Sequence, residues 1–112
     1  LPDTLFKEGG GGGTGEEVMP FGAGMTPPRL VSTGVPLEYT SQAMQARVQG
    51  VVVTRCTITR RGEVEDCRVI KGQPFMDEAV VASLTSRRYE PLTYQGQKVN
   101  VSYTFNVNLR LP

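Results

Sequence analysis

The stretch near the C-terminal end constrains this chain more than any other feature. Val99, Val101, Tyr103, Phe105, Val107 and Leu109 alternate with Asn100, Ser102, Thr104, Asn106 and Asn108. Successive side chains of a strand point to opposite faces, so this pattern separates an apolar face from a polar one. Strict alternation over residues 99–109, unbroken by proline or glycine, predicts one long strand with a core on one side and water on the other. Such a strand needs partners for its main-chain N–H and C=O groups, and the rest of the chain must supply them.

The preceding residues offer two more strands and two helices. Val51 to Thr59 is β-branched through its first half, and Val52, Thr54, Cys56 and Ile58 share one face. Arg60-Arg61-Gly62 reads as a hairpin loop whose glycine takes positive φ. Glu63 to Ile70 is the return strand, with Cys67 and Val69 on one face. Val64 is out of phase with them, which predicts a bulge or a frayed start. Residues 40–48 read as a short helix capped by the Thr40 hydroxyl. Residues 76–87 read as a second helix, because Met76, Ala79, Val80, Ser83, Leu84 and Arg87 recur at helical spacing. Asp77 and Glu78 in its first turn and Arg87-Arg88 at its end suit the helix dipole. Pro27 to Val31 reads as an extended entry segment, with Leu30 and Val31 available to the core.

The order helix, strand, strand, helix, strand fixes a topology. The second helix acts as a crossover, so the last strand runs parallel to the return strand and antiparallel to the first. The expected fold is therefore α+β: two helices on one face of a three-stranded antiparallel sheet of order 2-1-3. Residues 28–112 form this domain. Residues 1–27, with five glycines at positions 9–13, are expected to be a flexible tether, the alternative being that Met19 or Phe21 docks on the domain edge.

In the order 2-1-3 the last strand lies at an edge. Natural edges are blunted by charge, proline or a bulge, and residues 99–109 carry none of these. An unguarded, uncharged edge suits strand addition by an extended peptide. The candidate partner-binding residues are therefore Val99, Asn100, Val101, Ser102, Tyr103, Thr104, Phe105, Asn106, Val107, Asn108 and Leu109. Internal filling, by the N-terminal segment or by a second copy in a homodimer, is the competing expectation.

Composition points away from other classes. The 112 residues include no histidine, which removes the commonest general base and metal ligand. No nucleophile–base pair is visible, so no catalytic residue, metal or cofactor is expected. Glu63, Glu65 and Asp66 read as a solvated turn. Residues 1–27 hold one of the twelve basic and four of the eleven acidic side chains, which leaves eleven against seven in residues 28–112. That excess is mild and scattered, unlike a nucleic-acid surface. No apolar run approaches the roughly 18 residues of a membrane span. The chain starts at Leu1 without a methionine and reads as a piece of a longer protein.

Cys56 and Cys67 lie on opposite arms of the hairpin, on its inward face. A two-residue loop sets them opposite each other and a three-residue loop sets them one step out of register. Both a disulfide, which implies an oxidising compartment, and two buried thiols are consistent with that placement.

Several short pieces occur in a telling order. They are Pro36 with Tyr39, Ala43, Gly50-Val51-Val52-Val53, Ile58, Arg61-Gly62, Val64 and Val69, then Met76-Asp77 with Ala79, Arg88-Tyr89 with Pro91, Gly96 and the final strand. Residues 36–111 thereby resemble the C-terminal domain of TonB-family energy transducers. The cysteine pair resembles a two-cysteine branch, and Gly24-Met25 with Pro27-Pro28 after a glycine run resembles myxobacterial-type members. One departure is Tyr39-Thr40, where the family usually has Tyr-Pro. The resemblance implies a periplasmic domain tethered to the inner membrane by an N-terminal anchor outside this chain. It implies coupling to the ExbB–ExbD motor and capture of the TonB box of outer-membrane transporters on the last strand. The same edge would also serve an adapter or dimerisation module of a motility or secretion machine.

Overall fold

The computed structural model describes residues 17–22 and 24–112. The five-glycine run at 9–13 lies outside the described residues. The elements in chain order are β1 (Val18–Pro20), β2 (Leu30–Ser32), α1 (Ser41–Gln45), β3 (Gly50–Ile58), β4 (Val64–Lys71), α2 (Asp77–Thr85), β5 (Arg88–Tyr89), β6 (Thr93–Tyr94), β7 (Gln97–Lys98) and β8 (Asn100–Leu109).

The main sheet has four strands in the order β1-β8-β3-β4, not the expected three. The added strand is β1, which pairs in parallel with β8, so the sheet is mixed rather than purely antiparallel. Within the stretch expected to be a tether, Val18–Pro20 pairs with the sheet and Met25 packs on the core. Met19 lies opposite Val101 of β8, and the Phe21 ring lies against Tyr103.

The spine of the sheet is the antiparallel pair β3–β8. All nine residues of β3 find a partner, from Gly50 opposite Leu109 to Ile58 opposite Val101. This ladder aligns the apolar faces of both strands. Val52, Cys56 and Ile58 of β3, with Val101, Phe105 and Leu109 of β8, are buried together under the helices. From α2 come Val80 and Leu84, with Met76 just before it, and from α1 comes Ala43. Leu30 and Val31, expected near the core, are 43% and 64% exposed. They lie in β2, which pairs with β5 rather than with the main sheet, so this face turns to solvent.

Local signals explain the boundaries. Thr40 caps α1, its Oγ1 accepting from the Ala43 amide at 3.1 Å. The same hydroxyl donates to the Phe75 carbonyl at 3.1 Å, tying the start of α1 to the loop that enters α2. That loop is folded on itself, with the Gln73 amide donating to Asp77 Oδ1 at 2.9 Å. Gly62 has φ of +83° in the hairpin tip, and a Cβ there would collide with the Tyr89 carbonyl oxygen. The Tyr89 amide donates to the Gly62 carbonyl at 2.9 Å, so the tip is pinned to β5. Arg88, expected to favour the end of the second helix, instead lies in β5 and sits 3.9 Å from the Glu63 carboxylate.

The phase conflict at Val64 resolves further along β4 than the frayed start suggested. Thr57 faces Glu65 and Arg55 faces Arg68, so Cys56 alone stands opposite both Asp66 and Cys67. Asp66, at φ +53°, is the extra residue. One added residue returns Cys67 and Val69 to the face that Val64 occupies, as a β-bulge does. It also turns Cys67 towards Cys56, and the two are joined by a disulfide with Cα atoms 4.0 Å apart.

Two expectations follow. Closing the loop between these cysteines contributes about 3 kcal/mol in the chain-entropy model, so reduction lowers the unfolding free energy by that amount in urea titrations with and without reductant. Thr54 is fully buried and its Oγ1 has no hydrogen-bond partner. Thr54→Val removes an orphaned hydroxyl while keeping its shape, and stabilises the domain by about 1 kcal/mol in the same titration.

Candidate functional site

The two sides of β8 are satisfied very differently. Its inner side is paired with β3 from Val101 to Leu109. On its outer side, β1 covers only Asn100, Val101 and Ser102, opposite Val18, Met19 and Pro20. The Phe21 amide adds one more bond, to the Ser102 carbonyl at 3.1 Å. Main-chain groups alternate sides along a strand. Because the Ser102 carbonyl faces outward, those of Thr104, Asn106 and Asn108 face outward too. Among the described residues no strand pairs with that outer row.

The side chains around this row suit a docking strand. Thr104, Asn106 and Asn108 are exposed, short and uncharged. Where β1 ends, a cleft of about 590 Å³ opens, lined by Pro20, Phe21, Arg55, Ser102, Tyr103 and Thr104. Beneath it runs a row of aromatic contacts. The Phe21 ring stands edge-on to Tyr103 at 5.1 Å, Tyr103 meets Phe105 at 5.0 Å, and Phe105 meets Tyr89 at 5.8 Å. The first two pairs are edge-to-face, an arrangement that adds about 0.5–1.5 kcal/mol each beyond burial. They pack the inner face of β8 beside its open edge.

The structure thus divides the expected site residues. Val99 stands outside β8, its amide donating to the Leu92 carbonyl at 3.0 Å. Asn100 is occupied as a clamp. Its Oδ1 accepts from the Arg60 amide at 2.9 Å, and its Nδ2 donates to the Glu17 carbonyl at 3.4 Å. Val101 and Ser102 lie under β1. Tyr103, Phe105, Val107 and Leu109 point inward, with Phe105 and Leu109 buried. Thr104, Asn106 and Asn108 carry the open row. Val18 to Phe21 cover the start of this edge; the sequence offers Met19 and Phe21 as docking residues only as an alternative, and does not read Val18–Pro20 as a strand. Their signal is the short apolar run Val18-Met19 with Phe21.

Cys56 belongs to the same region, because it faces Tyr103 across the β3–β8 ladder. Its disulfide to Cys67 locks β3 to β4 directly behind the cleft.

Comparison with known proteins agrees with this architecture. A search of curated protein sequences finds no match. Among solved structures, the chain is similar to the solution NMR structure of the Pseudomonas aeruginosa TonB C-terminal domain. The TM-score is 0.54 at 24% identity, over 81% of this chain and 92% of that one. At that identity the likeness speaks for the fold. The family model described as Gram-negative bacterial TonB protein C-terminal matches residues 35–111, well over half of the sequence, and the chain therefore belongs to the TonB C-terminal domain family.

Proposed function

We propose that this domain is a periplasmic peptide-capture module. It receives the TonB box of an outer-membrane transporter as an added strand on the outer edge of β8, and passes on force generated at the inner membrane. The observation that carries this reading is the outward row of Thr104, Asn106 and Asn108 main-chain groups beside an open cleft. Membership of the TonB C-terminal family supports the periplasmic setting and the transporter as the partner. Coupling to an ExbB–ExbD motor would run through an N-terminal anchor beyond this chain.

Strand addition suits a force-bearing contact. Several main-chain hydrogen bonds share the load, while the neutral side chains of Thr104, Asn106 and Asn108 let partners of differing sequence enter. The contact asks nothing of general acids, bases or metals, in keeping with a chain that has no histidine. The same uncharged edge could meet its own copy, so sedimentation of the chain without peptide over a range of concentrations belongs beside the binding assay.

The test is a titration with a synthetic TonB-box peptide. Amide shifts are expected to concentrate between Tyr103 and Leu109. Thr104→Pro deletes one outward N–H and leaves the inner ladder intact, since proline is tolerated where its nitrogen faces away from the sheet. It is expected to weaken binding by about a hundredfold with an unchanged far-ultraviolet spectrum. Undiminished binding by Thr104→Pro would overturn strand addition at this edge.

A further inference from the structure

If β8 receives a partner strand, then β1 stands in its way. It occupies the outer side of β8 at Asn100–Ser102, and the Phe21 amide extends the pairing. The Phe21 ring also lies on Tyr103, at the mouth of the cleft where the open row begins.

The hold is slight. β1 is three residues long, and none of the three is buried. Val18 and Phe21 are 37% and 36% exposed. Segments with few buried apolar contacts open with free energies far below that of global unfolding. β1 is also built to end a sheet. Since the Phe21 nitrogen points at β8, alternation turns the Pro20 nitrogen away from it, where a proline has no N–H to offer a further strand. The guard that is missing from β8 is thus carried on a neighbouring, separable piece of chain.

The geometry points to β1 as an internal placeholder that competes with the partner strand for β8 and leaves when the partner binds. The exchange rests on the capture reading, and it also says what the partner must bring. Removing Phe21 bares the edge of the Tyr103 ring, so the incoming segment needs an aromatic or large apolar side chain at that level. It also needs an extended, uncharged backbone stretch on either side, to match the Ser102 and Thr104 side chains.

The test uses the full 112-residue chain and three variants. Phe21→Ala removes the ring alone, Phe21→Pro removes the ring and the amide donor, and Thr104→Pro reports on capture itself. Each is titrated with the same TonB-box peptide by calorimetry. A competitor that occupies the site lowers apparent affinity by the fraction of molecules it leaves open. Phe21→Pro is therefore expected to bind roughly tenfold tighter than the parent, with Phe21→Ala in between. A free peptide of residues 17–22 should in turn weaken TonB-box binding to Phe21→Pro. Equal or weaker binding by Phe21→Pro, with binding still weakened in Thr104→Pro, overturns the placeholder and leaves capture standing. Absence of binding by the parent and by both Phe21 variants overturns capture, and the placeholder falls with it.

Discussion

The antiparallel ladder between β3 and β8 organises everything else in this domain. It is the longest pairing among the described residues and it joins two strands separated by the hairpin and by α2. Its register decides which side chains meet. A slip of one residue would turn Val101, Phe105 and Leu109 to water and bring Ser102, Thr104 and Asn106 to the core. Burial of one face therefore fixes the register, and the register fixes which main-chain groups of β8 look outward. The candidate docking row is a consequence of core packing on the opposite side of the same strand.

Around this ladder the structure is held by contacts that converge on the hairpin tip. The Gly62 carbonyl accepts from the Tyr89 amide, Arg88 lies beside Glu63, and Asn100 holds the Arg60 amide. Tyr89 then meets Phe105 from the core side. The tip, β5 and the start of β8 form one connected corner. The cleft, the aromatic row and the disulfide-braced pair β3–β4 lie within a few residues of it. A docking edge gains from such bracing, because a strand that flexed would spread its hydrogen-bond partners out of line.

Much of this was legible in the residues, for reasons that are local. Alternation announced β8, and the Gly62 tip and the Thr40 cap each rest on one residue's own chemistry. What escaped was long-range. Val18–Pro20 is too short for periodicity to speak, and it carries a proline that argues against a strand unless the nitrogen faces outward. The position of the bulge was also hidden, because Asp66 is a polar residue in a polar turn until the register shows it to be surplus. Leu30 and Val31 misled by being apolar, although single exposed apolar residues are common on any surface. The candidate edge spans residues 99–109 in the sequence, and the part left open in the structure is shorter because β1 lies on its beginning.

The placement of the sulfur bridge has a consequence for a damaged chain. Arg60 and Arg61 sit at the exposed end of the hairpin, where a protease that recognises basic residues could cut. The polypeptide would then be in two pieces, one ending in β3 and the other holding β4, α2 and β8. Because Cys56 and Cys67 flank that point, the pieces would remain one covalent molecule. Only a nick followed by a reductant would leave the ladder to hold the two halves together unaided.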